Sequence, residues 1–393
     1  MSAGSGTPAK PLDEVATIER ESVSAGAITR GTLYVGLEHI ESDGAFIDVK
    51  PVEAGELASN KFRFGPRHIL YGKLRPYLKK TARPDFEGVC STDILPILPG
   101  PEMDRDYLFH YLRQPKVVEQ AVRRCTGANL PRLSPRALAS FSVPVPPLPE
   151  QRRIAVILDK ADAIRVHRKV AIGLAEELLR SAFLDLFGDP VTNSRGWDTQ
   201  RLDSIAAVNR GRFSPRPRND PRFYGGDHPF VQTGDVAAAP DYLTTWKQTL
   251  NDSGTTVSRS FPVGSVLVAI VGATIGESAV LAFESYCPDS VVGIVPRAPY
   301  TGEFIEYLLR FWKQRFRDEA PETARANINL ETLRPVPVPV VSEDSLQRFS
   351  VVYRKVAAWT DRKLLSPYQE LLDSLTNELL APSERERSKE LRA

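Results

Sequence analysis

The chain is written twice. At one constant offset Phe64 aligns with Phe261, Ile69-Leu70 with Val266-Leu267, Ala82 with Ala279, Phe86 with Phe283, Cys90 with Cys287 and Pro99 with Pro296. The same offset carries on into Tyr107-Leu108 against Phe304-Ile305, Leu112 against Leu309 and Leu133 against Leu330. A small deletion then shifts the alignment. Val143-Pro144-Val145-Pro146 meets Val336-Pro337-Val338-Pro339, Glu177-Leu178-Leu179 meets Glu370-Leu371-Leu372, and Leu186-Phe187 meets Leu379-Leu380. Identity is low, but order and spacing hold, and a repeat on this scale fixes architecture before any local propensity does.

Each half has two parts. The first, about residues 12–143 and 196–335, is mixed: short β-like runs such as Ser265–Ile270 and Val291–Val295 lie between Gly, Pro and Asp turns, and a helix-like stretch follows (Arg105–Arg124 and Gly302–Glu319). The second part is a long helix. Pro149 and Glu150 open the first copy, as a helix start tolerates. Ile154, Ile157, Leu158, Ala161, Ile164, Ala171, Leu174, Leu178, Ala182, Phe183 and Leu186 then recur at spacings of three and four, and Gly188 and Pro190 stop the run. The other copy spans about Asp344–Leu380, with Leu346, Phe349, Val352, Val356, Trp359, Leu364, Leu371, Leu375 and Leu379 on its stripe and Pro367 as a kink. A helix of about 35 residues is about 50 Å long and cannot bury such a stripe alone. Antiparallel pairing of the two copies removes both stripes from water. The expected fold class is α+β: two mixed α/β domains joined by two long antiparallel coiled-coil helices in a pseudo-twofold repeat.

Apolar residues are 42% and charged residues 25% of 393, the composition of an ordinary globular protein. No apolar run spans a bilayer and the N-terminus has no secretory pattern, so a cytoplasmic location is expected. Cys90, Cys125 and Cys287 have neither disulfide-framework nor zinc spacing. The net charge of +2 does not announce a nucleic-acid partner, but the distribution does. Lys61, Arg63, Arg67, Lys73, Arg75, Lys79, Lys80 and Arg83 occur with no acid between them, and Arg210, Arg212, Arg216, Arg218 and Arg222 stand against Asp220 alone. One such stripe per half is what phosphate neutralisation requires.

Catalytic signatures are missing. GxGxxG, GxxxxGK[ST], HExxH, HxE…PCxxC and GxSxG are all absent, and the five histidines form no ligand or triad spacing. Pro84-Asp85-Phe86-Glu87 lacks the lysine a nuclease carboxylate pair needs, and Gly272-Ala-Thr-Ile-Gly276 lacks the Lys-Ser/Thr of a phosphate loop and reads as a turn. A binding module accounts for this better than an enzyme.

Pro146-Pro-Leu-Pro-Glu-Gln151 followed by Arg-Arg-Ile-Ala-Val-Ile-Leu-Asp159 closely resembles the start of the central spacer helix in specificity subunits of type I restriction–modification systems. Glu177-Leu-Leu-Arg-Ser181 and Leu186-Phe-Gly-Asp189 look like its end. Tyr34–Glu38, Pro229-Phe-Val-Gln-Thr-Gly-Asp235 and Val271–Gly276 are similar to elements of that family's target recognition domains. The second spacer departs from the pattern, with Ser342-Glu-Asp344 where Pro-Glu-Gln is usual. The resemblance implies an N-terminal tail (1–11), a first recognition domain (12–145), a central spacer (146–190), a second recognition domain (191–338), a C-terminal spacer (339–381) and a charged tail (382–393). It also implies a non-catalytic chain that reads a bipartite, asymmetric DNA target, its two readers about 34 Å apart, or one duplex turn. Two modification subunits with S-adenosylmethionine would methylate adenine, and restriction subunits with ATP and Mg would translocate and cleave; the chain itself would hold no cofactor or metal.

From composition, the candidate DNA contacts are Arg67, Tyr71, Lys73, Arg75, Tyr77, Lys79 and Lys80 in the first half, and Arg210, Arg212, Arg216, Arg218, Arg222 and Tyr224 in the second. Candidates for spacer pairing and partner docking are Glu150, Gln151, Ile154, Ile157, Leu158, Ile164, Leu178, Leu179, Phe349, Trp359, Leu371 and Leu372. Two rivals stay open: a nuclease with a diverged site, and a coiled-coil scaffold with no role on DNA.

Overall fold

The structure is a computed structural model that describes residues 8–53, 55–127, 129–215, 217–319 and 327–360. The described residues divide into two compact units, one up to residue 167 and one from residue 168.

The first unit carries two four-stranded sheets. One runs Ala16–Ile18, Ile94–Pro99, Ile69–Gly72, Thr81–Ala82 and is antiparallel throughout. The other runs Ser22–Val23, Lys61–Phe64, Gly88–Cys90, Tyr34–Val35, with the last pair parallel. Side chains alternate between the faces of a strand. Ile69 and Tyr71 therefore enter the core beside helix α1 (Arg105–Leu112), while Leu70 enters a second cluster with Phe64, Ala82 and Cys90. Asp104 starts α1, its carboxylate accepting from the Asp106 and Tyr107 N–H groups at 3.0 Å.

The second unit repeats this plan. Ala206–Arg210, Val291–Pro296, Val266–Ala269, Ser278–Leu281 and Tyr242–Leu243 form a five-stranded sheet. Gln248–Leu250, Tyr224–Phe230, Ser285–Cys287 and Arg259–Phe261 form a four-stranded one. Val266 and Val268 face one core, Leu267 and Ala269 another. Cys287 occupies the place that Cys90 holds in the first unit, and both thiols are pushed up by burial, that of Cys90 to about 12.

Helix α2 (Leu148–Phe187) is 40 residues long and ends at Gly188, whose φ of 76° is the left-handed turn glycine adopts most easily. Its first turns place Ile154, Ala155 and Leu158 in the first unit's core, and its last place Ala175, Leu179, Phe183 and Phe187 in the second unit's. In that second core they meet helix α3 (Gly302–Glu319) and helix α4 (Glu343–Thr360), with Phe183 and Phe349 ring centroids 5.2 Å apart. Residues 361–380 of the expected C-terminal helix, with Pro367, lie outside the described residues.

The registers correct the repeat alignment beyond the deletion. Val143 bonds opposite Lys10 just as Val338 bonds opposite Gln200, so Val143 corresponds to Val338 rather than Val336. On this register Gln151, Ile154, Ala155 and Leu158 of α2 correspond to Leu346, Phe349, Ser350 and Tyr353 of α4, and all eight are buried.

Candidate nucleic-acid interface

In the first unit the strand Ile69–Gly72 runs into a loop that stands off the sheet. Backbone bonds tether its base: Lys73 N–H to the Asp93 carbonyl at 2.9 Å, Arg75 N–H to Pro131 at 2.8 Å, and Leu133 N–H to Lys73 at 2.9 Å. Arg75 and Lys79 are both left-handed, at φ 50° and 54°, and bracket a single 3-10 turn, Pro76–Leu78. Non-glycine residues rarely adopt this conformation, and such strain clusters at functional sites. The turn carries Tyr77 outward, half exposed, between the two cations. Arg67 is exposed, and neither it nor Lys79 has an ion pair among the described residues. Lys73 lies 4.0 Å from the Asp93 carboxylate, and the Lys80 ammonium donates to the Leu37 and Ile40 carbonyls at 2.7 and 2.9 Å.

Tyr71 does not belong to this surface. It is 3% exposed, its side chain faces the core, and burial pushes its phenol well above the usual range. Three further cations of the sequence stripe serve the fold. Buried Lys61 donates to Ser59, Arg63 pairs with Glu21 at 2.8 Å, and Arg83 bridges Asp106 and Asp159, each at 2.8 Å.

The second unit holds an open hollow of about 570 Å³. Its floor is aromatic: Phe213, Tyr224 and Phe230 lie within 5.1–6.0 Å of one another by ring centroid. Arg218 and Tyr224 line it, together with Asn219, Gln232 and Gln248, which charge counting could not single out. Arg218 grips the Asp289 carboxylate at 2.6 and 2.8 Å, and Tyr224 donates its hydroxyl to the Arg218 carbonyl. Arg210 donates to the Asp289 carbonyl, and Arg212 to the Thr256 and Ser258 carbonyls, each at 3.1 Å. Arg222 pairs with Asp220 at 2.7 Å, a hydrogen bond that lowers the carboxyl and raises the guanidinium. Arg216 lies outside the described residues.

The spacer candidates separate into distinct environments. Gln151 is fully buried and makes three hydrogen bonds: its Oε1 accepts from Asp104 N–H at 2.8 Å, and its Nε2 donates to the Glu102 and Pro146 carbonyls at 2.9 and 2.7 Å. It thereby locks the start of α2 to the start of α1. Glu150 is held by Arg153 at the surface. Ile154 and Leu158 are core, Ile157 is half-buried, and Leu179 and Phe349 are core in the second unit. Ile164, Leu178 and Trp359 are exposed, whereas Leu371 and Leu372 lie outside the described residues. Val166, Val170 and Leu174 are exposed as well, so α2 carries a second apolar row on the side away from Ala175, Leu179 and Phe183.

The family described as the type I restriction modification DNA specificity domain matches residues 77–174 and 194–348, one stretch in each half. The chain belongs to that family. Among curated proteins, a type I restriction enzyme EcoDI specificity subunit of Escherichia coli is 29% identical over 183 residues, covering 45% of this chain and 40% of that one. An MjaIX specificity subunit of Methanocaldococcus jannaschii is 24% identical over 151 residues, covering 35% and 34%. The chain thus matches less than half the length of these relatives. A solved type I restriction–modification S subunit from M. genitalium shares the fold at a TM-score of 0.64 and 12% identity, over 98% of this chain and 99% of that one. A chain from a structure concerned with complex assembly and conformational transition of the type I R-M system does so at 0.52 and 19%, over 97% and 99%. As a family member, the chain carries two copies of one specificity fold, which accounts for the repeat. No helix among the described residues is long and apolar enough to cross a membrane.

Proposed function

We propose that the chain is the sequence-specific DNA-binding subunit of a cytoplasmic type I restriction–modification complex. Each unit reads one part of a bipartite, asymmetric target and directs adenine methylation or cleavage by partner subunits. The observation that carries this reading is the double match of one specificity family, one stretch in each half, with the two units sharing a common set of paired strands but carrying different surface residues. Two copies of one fold with unlike loops suit two unlike half-targets.

In this reading the cations anchor phosphates and set register, while polar groups nearby read base edges. Arg67, Lys79 and the turn carrying Tyr77 form the first contact surface, and the hollow lined by Arg218 and Tyr224 forms the second. The chain performs no chemistry. S-adenosylmethionine belongs to two modification subunits, ATP and Mg to restriction subunits. The exposed row on α2 suits these docking partners or the C-terminal copy of the spacer.

The test is to co-express the chain with a methyltransferase subunit and map methylated adenines in genomic DNA. A single bipartite motif is expected, absent when either partner is left out. Methylation or cleavage by the purified chain alone would overturn the non-catalytic reading, and no motif in the presence of the partner would overturn the recognition reading.

A further inference from the structure

At the mouth of the second unit's hollow two exposed glutamines are tied together. The side-chain amide of Gln232 donates to the side-chain oxygen of Gln248. Both are mounted on fixed backbone. Gln248 opens the strand Gln248–Leu250 and pairs in register with Phe230. Gln232 follows two residues after Phe230; its N–H donates to the Asp235 carboxylate at 2.9 Å, and its carbonyl accepts from the Asp235 and Val236 N–H groups at 3.0 and 3.2 Å. Exposed glutamines ordinarily move among many rotamers, and holding one costs entropy. Here each amide limits the other, so the pair presents a defined edge. Whichever way the two amides are turned, their mutual bond leaves one carbonyl oxygen and one amino group directed outward.

We infer that the Gln232–Gln248 pair is a base-reading site that accepts the major-groove edge of an adenine in the half-target of the second unit. The inference rests on the DNA-recognition reading above. Adenine offers an acceptor, N7, beside a donor, the N6 amino group, which is the complement of an outward amino group beside an outward carbonyl. Guanine presents two acceptors and would set its O6 against the carbonyl. Thymine presents a methyl group beside its O4, and cytosine only a donor. The surroundings suit base reading. Lys247 is exposed beside Gln248, and Arg218 stands on the rim of the same hollow, so cations are at hand for the phosphates that flank a base. No cofactor and no covalent step is involved.

The test uses the full chain in complex with the methyltransferase subunits, equilibrated with a randomised duplex library and followed by sequencing of the bound DNA. In the double variant Gln232→Ala/Gln248→Ala, preference at one A·T position should fall by about 10- to 100-fold while the rest of the motif keeps its enrichment. The Gln248→Glu variant replaces the outward donor by an acceptor and should move that position toward cytosine, whose N4 amino group a carboxylate accepts. Both changes are at the surface, and an unchanged melting temperature verifies the fold. A double variant that keeps the parent motif at every position overturns the inference and leaves the recognition reading standing, as does relaxation at a position that is not A·T. A parent complex that enriches no motif overturns the recognition reading itself, and this inference with it.

Discussion

Tyr353 of α4 donates its hydroxyl to the Glu306 carboxylate of α3 at 2.9 Å, and neither side chain reaches solvent. Arg310 completes the knot, donating to Glu306 and to Asp241 at 2.7 Å each, while Thr360 donates to Asp241 at 3.0 Å. Burial pushes the Glu306 carboxyl up and the adjacent guanidinium opposes it. A buried carboxylate beside a guanidinium is stable only while both partners remain. Glu306→Ala leaves Arg310 paired with Asp241 but strips the Tyr353 and Ser278 hydroxyls and the Arg310 Nε of their acceptor in a buried setting, and should lower the stability of the second unit by about 1–3 kcal/mol. Glu306→Gln keeps the hydrogen bonds in part and should lower it less. Thermal unfolding of the full chain measures both.

In the first unit Gln151, which corresponds to Leu346 of the second, ties α2 to α1 with a neutral group. Gln151→Leu places there the residue type that Leu346 supplies in the second unit, but it orphans the Asp104 N–H and two carbonyls in a buried setting. The loss should be about 2–4 kcal/mol at nearly constant volume. Urea unfolding that shows less than about 1 kcal/mol would mean that water replaces the amide.

How far the sequence exposes this architecture depends on the signal. The repeat is legible because strand order and cysteine positions survive divergence. Its register past the deletion is not, because Val-Pro-Val-Pro matches itself two residues out of step, and only hydrogen bonding selects Val338 for Val143. The α2 stripe is legible as apolar, yet periodicity puts Phe183, which is core, on one stripe with Leu174 and Leu178, which are exposed, and passes over the buried Ala175, Leu179 and Phe187. The basic stripes mislead in part, since a count of charges is blind to partners distant in sequence, such as Glu21 for Arg63 and Asp159 for Arg83. Tyr71 differs from Tyr77 by strand against loop, which composition does not record. The amide pair carried no sequence signal at all, for Gln232 and Gln248 meet only through the pairing of two strands.

Asp159 ties α2 to the first unit and should give that unit an acid-sensitive component. Burial disfavours its charge, but hydrogen bonds from His110 and Arg83 at 2.8 Å outweigh that and draw the carboxyl down to about 2. In an unfolded chain an aspartate titrates near 3.9, so the folded state binds this proton more weakly. The stabilisation is complete above about pH 4 and is lost as pH falls toward 2. Asp159→Asn should therefore melt lower than the parent at pH 6, with the two curves converging as pH falls to 2. A constant difference across that range would show that the charge is not what holds the contact.

The candidate cations should differ in how they respond to salt, because some already have an anion. Each phosphate neutralised contributes about 0.9 to the slope of log K against log salt. Arg67 and Lys79 have no ion pair among the described residues, so Arg67→Gln and Lys79→Gln should each reduce the slope by nearly that amount if they touch the duplex backbone. Arg222 is neutralised in advance by Asp220, and Arg218 by Asp289. Binding must then break or share an existing pair, so Arg222→Gln and Arg218→Gln should change the slope by distinctly less. The measurement is a titration of duplex DNA at several salt concentrations with the full chain. Equal slopes for all four variants would mean that the intramolecular pairs open on binding, and the Asp220 carboxylate, parted from Arg222, would then face the DNA, which Asp220→Asn would reveal as tighter binding.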